Sequence, residues 1–221
     1  SIIFALSCLA LLFVDIVGKG HGAFRLSYIQ LNVNFDSDIL GVDNLADQEA
    51  VVLADWQGII KQSLRTEFSE VTGRKAKREL YSLASTGAGY DMRDYLFEKP
   101  ELFNTTATVW LLADDDIDSY YKSALDGDPY TGRISEEQRK WADSLIDSGK
   151  IELRFNSNFF TNGDSREPEQ AGILSAVVGS ILTMIVTLGL SFPIGVAAAI
   201  YLEEFAPKNK WTDFIEVNIN N

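Results

Sequence analysis

The apolar residues of this chain are concentrated at its two ends. Residues 170–202 form a run of 33 residues without a charged side chain. A bilayer core of roughly 30 Å needs about 20 helical residues, so this run is too long for one straight span. Pro193 predicts a break, because proline lacks an amide N–H and disfavours helix at the residue before it. We therefore predict a second transmembrane helix within residues 172–205, broken at Pro193.

The N-terminal run, residues 1–17, is apolar apart from Asp15 and is too short to span a bilayer fully. It has neither the basic start nor the small-residue cleavage site of a signal peptide. We interpret residues 1–18 as a truncated first transmembrane helix, in which Cys8 serves as a small apolar residue. Residues 206–221 are then the start of a cytoplasmic loop leading to the rest of a longer protein. The chain is therefore expected to be an N-terminal fragment.

The residues between the two runs have the patterning of a folded domain, residues 24–169. Alternation of apolar and polar positions predicts three strands, and spacings of three and four residues predict helices between them. The predicted strands are 24–35, 105–112 and 151–155. The predicted helices are 47–71, 75–83, 90–97, 114–125 and 135–149. This order predicts an α+β domain with a small sheet, flanked by transmembrane helices.

The charge of the chain is carried by this middle domain. Residues 24–169 hold 16 Lys and Arg against 27 Asp and Glu, which accounts for −11 of the net charge of −13. Such an acidic surface repels phosphate backbones and disfavours a nucleic-acid-binding role. Two charge-free ends disfavour a soluble cytosolic enzyme.

Basic residues near the second apolar run predict the orientation of the chain. Lys208 and Lys210 follow this run in a short loop, as is usual on the cytoplasmic side of a membrane. Lys19 and Arg25 follow the first run and weaken the contrast. We nevertheless expect residues 20–170 to lie outside the cytoplasm, as an extracytoplasmic domain.

Hydroxyl side chains form a stripe along the second apolar run. Ser180, Thr183, Thr187 and Ser191 are spaced by three or four residues and share one face of a helix. Small and hydroxyl residues allow close approach of another helix in lipid, so we predict a helix-packing face. Two alternatives stay open: each hydroxyl could bond its own helix, or the stripe could line a solute pathway.

Two acidic clusters are candidates for a cation site. Asp126-Gly127-Asp128 with Glu137 resembles part of a calcium-binding loop, but Tyr130 stands where another oxygen ligand is needed, so a turn before a capped helix is favoured. Asp114-Asp115-Asp116 with Asp118 could bind a cation. Acidic residues at a helix N-terminus are favoured by the helix dipole without any ion, and we prefer that interpretation.

The remaining residues show no catalytic arrangement. The dense basic cluster of residues 74–78 is expected to be a solvated helix face, and His21 is the single histidine. A lone histidine excludes sites with several histidine ligands. We predict no catalytic residues, no cofactor, no bound metal and no enzyme activity in this chain.

The second apolar run carries a resemblance to a known family. The matching segments are Ala171-Gly172-Ile173-Leu174, Val178-Gly179-Ser180, and the run that begins Ser191-Phe192-Pro193-Ile194-Gly195 and ends at Pro207. They resemble the PstA-type permease subunit of the bacterial phosphate ABC transporter. The middle domain looks more loosely like an extra N-terminal domain of some of these permeases, through Leu80-Tyr81 and Thr108-Val109-Trp110-Leu111.

The resemblance implies a transport subunit in the bacterial inner membrane, with residues 20–170 periplasmic. Its implied partners are a second permease subunit, cytoplasmic ATPase subunits that hydrolyse the ATP, and a periplasmic phosphate-binding protein. The coupling loop and later helices of that family are absent from this sequence. No phosphate-contacting residue can therefore be assigned.

The order helix, extracytoplasmic domain, helix also fits the input module of a membrane sensor. That alternative predicts a charged signalling helix after the second span. Pro193, Gly195 and Pro207 interrupt the chain there, which favours a permease.

Overall fold

The computed structural model describes residues 2–207, 209, 212, 214, 215 and 217. The chain divides into two compact units, Ser1–Gly172 and Ile173–Asn221. Lys208 and Lys210, on which the predicted orientation depends, lie outside the described residues, as does much of the predicted loop 206–221.

The first unit contains nine described helices and three strands. The helices are α1 (Ile2–Gly20), α2 (Ser37–Leu40), α3 (Gln48–Leu53), α4 (Trp56–Glu67), α5 (Arg74–Tyr81), α6 (Ala88–Glu98), α7 (Asp115–Asp126), α8 (Glu136–Asp147) and α9 (Asn158–Thr161). The strands are β1 (Arg25–Asn34), β2 (Thr106–Leu112) and β3 (Ile151–Phe155). Short 3₁₀ turns cover His21–Phe24, Pro100–Leu102 and Pro168–Gln170.

The strands form an antiparallel sheet in the order β2-β1-β3. In the register of the sheet, Leu31 pairs with Val109 of β2, and Tyr28 pairs with Glu152 of β3. The predicted α+β domain with a small sheet is therefore confirmed, and each predicted strand contains an observed one.

One face of the sheet forms the core. Ile29, Leu31 and Val33 alternate along β1 and are fully or almost fully buried, as are Ile59 and Leu64 of α4. The opposite face carries polar and aromatic side chains, where the Arg154 guanidinium lies 4.5 Å from the centre of the Trp110 ring. Period-2 alternation along β1 thus separates a packed face from an open one.

The predicted helix 47–71 is wrong as a single element. It is divided into α3 and α4, because Ala54 takes an extended conformation and Asp55 starts a new helix. The Asp55 carboxylate accepts a hydrogen bond from the Gly58 N–H at 2.8 Å, which is a typical helix N-cap. The apolar spacing continues across the boundary, so the spacing alone could not reveal this second cap.

In the second unit, one long apolar helix, α10 (Leu174–Ile200), is followed by a π-helical turn at Tyr201–Phe205. Together, Leu174–Phe205 are long and apolar enough to cross a membrane, by length and composition. The apolar part of α1, Ile2–Gly18, is shorter than a span of this kind.

The predicted break at Pro193 is wrong, because Pro193 lies inside α10. A proline in a helix removes one hydrogen bond and brings its ring against the carbonyl four residues earlier. Here that residue is Gly189, which has no side chain to add to the crowding. Prolines are tolerated in apolar membrane helices when neighbouring groups compensate.

Candidate functional site

The predicted packing face lies on α10. Ser180, Thr183 and Thr187 line one shallow groove along the helix, together with Ala176 and Gly179. The fourth predicted residue, Ser191, follows at the same helical spacing but does not line this groove. Most of the side chains that line the groove are small: glycine, alanine and hydroxyl residues.

One hydroxyl of the stripe bonds its own helix. The Thr183 Oγ1 donates to the carbonyl oxygen of Gly179 at 2.8 Å. This is the local alternative that the sequence left open, and it applies to Thr183. A threonine oxygen in this arrangement keeps its acceptor capacity, so a packing role for the stripe stays a prediction.

A second candidate site lies in the first unit, where the loop before α6 meets the end of β2. Its centre is the carboxyl group of Glu169, a residue only 3% exposed. The Ser85 hydroxyl donates to Glu169 Oε1, whereas Glu169 Oε2 is buried and has no hydrogen-bond partner among the described residues. A buried carboxylate oxygen without a partner is costly, so this position requires an explanation.

Ser85 is held in place by several hydrogen bonds. Its Oγ accepts from the Gly87 N–H at 3.0 Å and from the Gln170 Nε2 at 3.2 Å. Its backbone N–H donates to the carbonyl of Leu112 at 2.9 Å. The Glu169 carboxyl group therefore accepts from a hydroxyl group that has two further hydrogen bonds of its own.

The cluster Asp114–Asp116 lies at the start of α7. Carboxylate oxygens of Asp114, Asp115 and Asp116 all lie within 4.8 Å of one another, and each residue is partly buried. Asp114 is the N-cap of α7 and accepts from the Asp116 N–H at 3.2 Å. The predicted helix start at Asp114 is confirmed.

The electrostatics of Asp114 differ from those of an ordinary N-cap. Burial raises the pKa of Asp114 to about 7, against the opposing effect of the hydrogen bond from the Asp116 backbone. The negative charges of Asp115, Glu169 and Asp116 raise this pKa further. The carboxyl group of Asp114 therefore lies close enough to three other acidic residues for their charges to oppose its ionisation.

A polar cleft of about 340 Å³ lies beside this loop. Asp91, Asp94 and Gln170 contribute to its lining. Burial raises the pKa of Asp91 to about 6, and the nearby charge of Asp94 adds to the shift. The cleft is thus an acidic region adjoining the Ser85 loop.

The other candidates take the structural roles that the sequence favoured. Asp126 ends α7, where Gly127 adopts a left-handed conformation (φ 73°), and Ser135 opens α8 with a capping box. In the basic cluster, Arg74 and Lys75 are exposed, and Lys75 pairs with Glu79 at 3.7 Å.

The sequence analysis did not identify Glu169. A single glutamate between Pro168 and the apolar run has no periodic or motif signal. Its burial depends on the 3₁₀ turn Pro168–Gln170 meeting the Ser85 loop, which are more than 80 residues apart in sequence.

These features define an α+β domain joined in sequence to apolar helices, one of them long enough to cross a membrane. The chain belongs to the family described as "Domain of unknown function (DUF3333)", whose sequence profile matches residues 1–129.

A relative of known class is the probable ABC transporter permease protein YqgI of Bacillus subtilis (strain 168). It is 32% identical to this chain over 75 residues, which are 34% of this chain and 25% of the relative. The chain therefore spans about a quarter of the length of that relative. No solved structure matches the chain significantly. The similarity to this permease and the length of α10 are both consistent with a membrane location for the chain.

Proposed function

We propose that this chain is the N-terminal part of a membrane permease subunit of an ATP-driven inorganic phosphate importer. The observation that carries the proposal is the similarity to a probable ABC transporter permease, together with an apolar helix long enough to cross a membrane. Phosphate as the substrate rests on the resemblance of residues 171–207 to PstA-type permeases.

The proposed location is the bacterial inner membrane, with residues 20–170 in the periplasm. The positions of Lys208 and Lys210 in the sequence support this orientation.

A cluster of phenylalanines supports a membrane-adjacent position for the start of β1. Phe24, Phe155 and Phe160 are 43%, 66% and 45% exposed, and their rings stack on one another. Phe24 is the last residue of the 3₁₀ turn that directly follows the apolar helix α1. Phenylalanine is one of the apolar residues by which interfacial segments enter the boundary between headgroups and acyl chains, and such a position gives these exposed rings an apolar environment.

The proposed partners are a second permease subunit, cytoplasmic ATPase subunits and a periplasmic phosphate-binding protein. In this arrangement the chain itself is not an enzyme, since ATP is hydrolysed on the ATPase subunits. The groove of α10 lined by Ser180, Thr183 and Thr187 is the proposed contact for another membrane helix.

The direct test is uptake of radiolabelled phosphate by cells that lack the gene for the full-length protein. We expect uptake to fall and to be restored by the full-length gene, with excess unlabelled phosphate competing and excess sulfate not competing. Sulfate is a matched control because it is also a tetrahedral oxyanion. Competition by sulfate, or unchanged uptake in cells shown to have no other phosphate importer, would contradict the proposal.

A further inference from the structure

A polar cavity lies where the start of β1 meets the end of α7. Its volume is about 630 Å³, which is within the range of about 300–1,000 Å³ typical of small-molecule sites. Its lining includes two basic residues, Arg25 and Lys122, and two acidic residues, Asp126 and Asp128. No ion pair joins Arg25, Asp126 or Asp128 to another described residue. The cavity therefore presents charges of both signs to a ligand.

The cavity adjoins the end of the apolar helix α1. Gly18 and His21 belong to its lining, and the His21 Nδ1–H donates to the Gly18 carbonyl at 2.7 Å. The Lys122 Nζ donates to the Gly22 carbonyl at 2.9 Å, which attaches the turn after α1 to α7. A membrane helix ends where the acyl chains meet the headgroups. The cavity is therefore at headgroup level if α1 lies in the membrane, and to this extent the inference rests on the proposed function.

The basic residues of the lining suit a phosphate group. Arg25 is exposed, and a guanidinium group can donate two parallel hydrogen bonds to phosphate oxygens. The Lys122 ammonium group has three donors, of which the Gly22 carbonyl and the Asp118 carboxylate accept two, at 2.9 and 2.6 Å. Its third donor can bond a phosphate oxygen in the cavity.

The acidic residues of the lining suit an ammonium group. Asp126 is the last residue of α7, and Asp128 comes directly after the C-cap Gly127. The C-terminus of a helix carries about half a negative charge, which adds to the attraction of the two carboxylates for a cation. The last turn of α7 contains no basic residue to balance this charge. An ammonium group with N–H donors can form charge-assisted hydrogen bonds with these carboxylates.

Apolar side chains connect the cavity to the exposed phenylalanines. Leu125 lines the cavity and is 56% exposed. Leu153 also lines it, and Phe155 lies two residues further along β3, on the same side of the sheet. Phe155 pairs with Arg25 in the register of the sheet. The ligand that fits this surface therefore has an apolar portion next to its charged groups.

We propose that the cavity binds the headgroup of a phospholipid that carries phosphoethanolamine. Arg25 and Lys122 bind the phosphate group. Asp126 and Asp128 bind the ammonium group, while the acyl chains contact Leu125 and the exposed phenylalanines. This headgroup is neutral overall, which matches a lining of two basic and two acidic residues. A choline headgroup has no N–H to donate to the carboxylates, and a glycerol headgroup has no cation to balance them.

The test is native mass spectrometry of the detergent-solubilised 221-residue chain, mixed with one phospholipid at a time, all with identical acyl chains. We expect half-saturation with phosphatidylethanolamine at a concentration about fivefold lower than with phosphatidylcholine or phosphatidylglycerol, which is the scale of exposed ion pairs. Phosphoethanolamine without acyl chains and inorganic phosphate should bind at least about tenfold more weakly, because they bury no apolar surface. Equal binding of the three lipids would overturn the site. Equal binding of the free headgroup or of inorganic phosphate would overturn the assignment to a lipid.

A double variant tests the ammonium contact. Asp126→Asn combined with Asp128→Asn should reduce the preference for phosphatidylethanolamine over phosphatidylcholine to less than about twofold, because no carboxylate remains for the N–H donors. Glu98→Gln combined with Glu101→Gln is the control, which removes two exposed charges outside the cavity and should keep the preference. A preference that persists in the first variant, or that disappears in both, would overturn the site.

A single variant tests the phosphate contact. Arg25→Gln should weaken the binding of all three lipids about threefold or more, since each of them carries a phosphate group. Arg133→Gln, at an exposed position outside the cavity, should change binding less than about twofold. Unchanged binding in Arg25→Gln, or equal weakening in Arg133→Gln, would overturn the role of Arg25.

The lipid measurement and the uptake measurement separate the two proposals. Equal binding of all lipids by a protein on which phosphate uptake depends would overturn the lipid site alone. Selective binding by a protein that phosphate uptake does not require would support the lipid site and contradict the proposed substrate.

Discussion

At the scale of single residues, Asp118 connects α7 to the central strand. Asp118 Oδ1 accepts from both the N–H and the hydroxyl of Ser27, at 2.8 and 2.7 Å. Its other oxygen accepts from the Lys122 Nζ at 2.6 Å. Ser27 is fully buried, so its donors have no access to water if Asp118 is removed.

We expect Asp118→Ala to lower the free energy of unfolding of the domain by about 3 kcal/mol, because two buried donors and a partly buried ammonium group lose their partner. Chemical denaturation followed by circular dichroism measures this change. Asp126→Ala, at the exposed end of the same helix, is the control and should change stability by less than about 0.5 kcal/mol. Equal effects of the two substitutions would contradict the role of Asp118.

Asp91 makes the stability of the domain depend on pH. Because its pKa is raised to about 6 in the folded chain, the folded state holds this proton more tightly than the unfolded state, whose pKa is 3.8. The contribution is therefore stabilising below about pH 4 and is lost as pH rises through about 6. Between about pH 4 and pH 6 we expect this effect to lower the free energy of unfolding on the order of 2 kcal/mol. Asp91→Asn should abolish this decrease, which denaturation at several pH values measures. Asp94→Asn serves as the comparison, and a pH profile that Asp91→Asn leaves unchanged would contradict the assignment.

At the scale of helices and strands, the sequence predicted those element boundaries that depend on interactions between residues close in the chain. The closing strand β3 has the same bounds as its prediction, and the predicted starts at Asp114 and Ser135 are both N-caps. The division between α3 and α4 and the continuity of α10 through Pro193 were missed. In each case one local feature, the Asp55 cap or Pro193, competes with the helix preference of the residues around it. The spacing of apolar residues does not show which of the two prevails. Glu169 was missed because its role depends on contact between distant segments.

The groove of α10 provides a prediction at the same scale. If the proposed function holds, we expect Thr187→Leu in the full-length protein to reduce co-purification of the proposed partner permease about threefold or more, because helix contacts in lipid rely on small residues and contribute about 0.6 kcal/mol or more each. Ile185→Leu is the matched control, since it lies about 200° around the helix from Thr187 and leaves volume unchanged. Comparable losses in both variants, or none in Thr187→Leu, would contradict a packing face at this groove.

At the scale of the whole molecule, the acidic domain lies between the two apolar segments of the sequence. Its net charge of −11 over residues 24–169 and its packed core indicate a soluble module held between apolar segments. A module of this kind meets either the periplasm or the cytoplasm, and the side that it meets decides which partners it can contact. Orientation is therefore the property on which the proposed function depends most.

We expect a cysteine at position 137 to react with a membrane-impermeant maleimide in intact cells, after the outer membrane is made permeable to the reagent. The variant is Glu137→Cys in a Cys8→Ser background, because Cys8 is the only native cysteine of this chain and Glu137 is exposed on α8. Asn209→Cys, beyond α10, is the matched control and should react only after the inner membrane is opened, since one span separates the two positions. The opposite pattern would place the acidic domain in the cytoplasm, where it could contact the ATPase subunits but not a periplasmic binding protein. Labelling of both positions in intact cells would show that α10 does not cross the membrane, and the permease proposal would then be wrong.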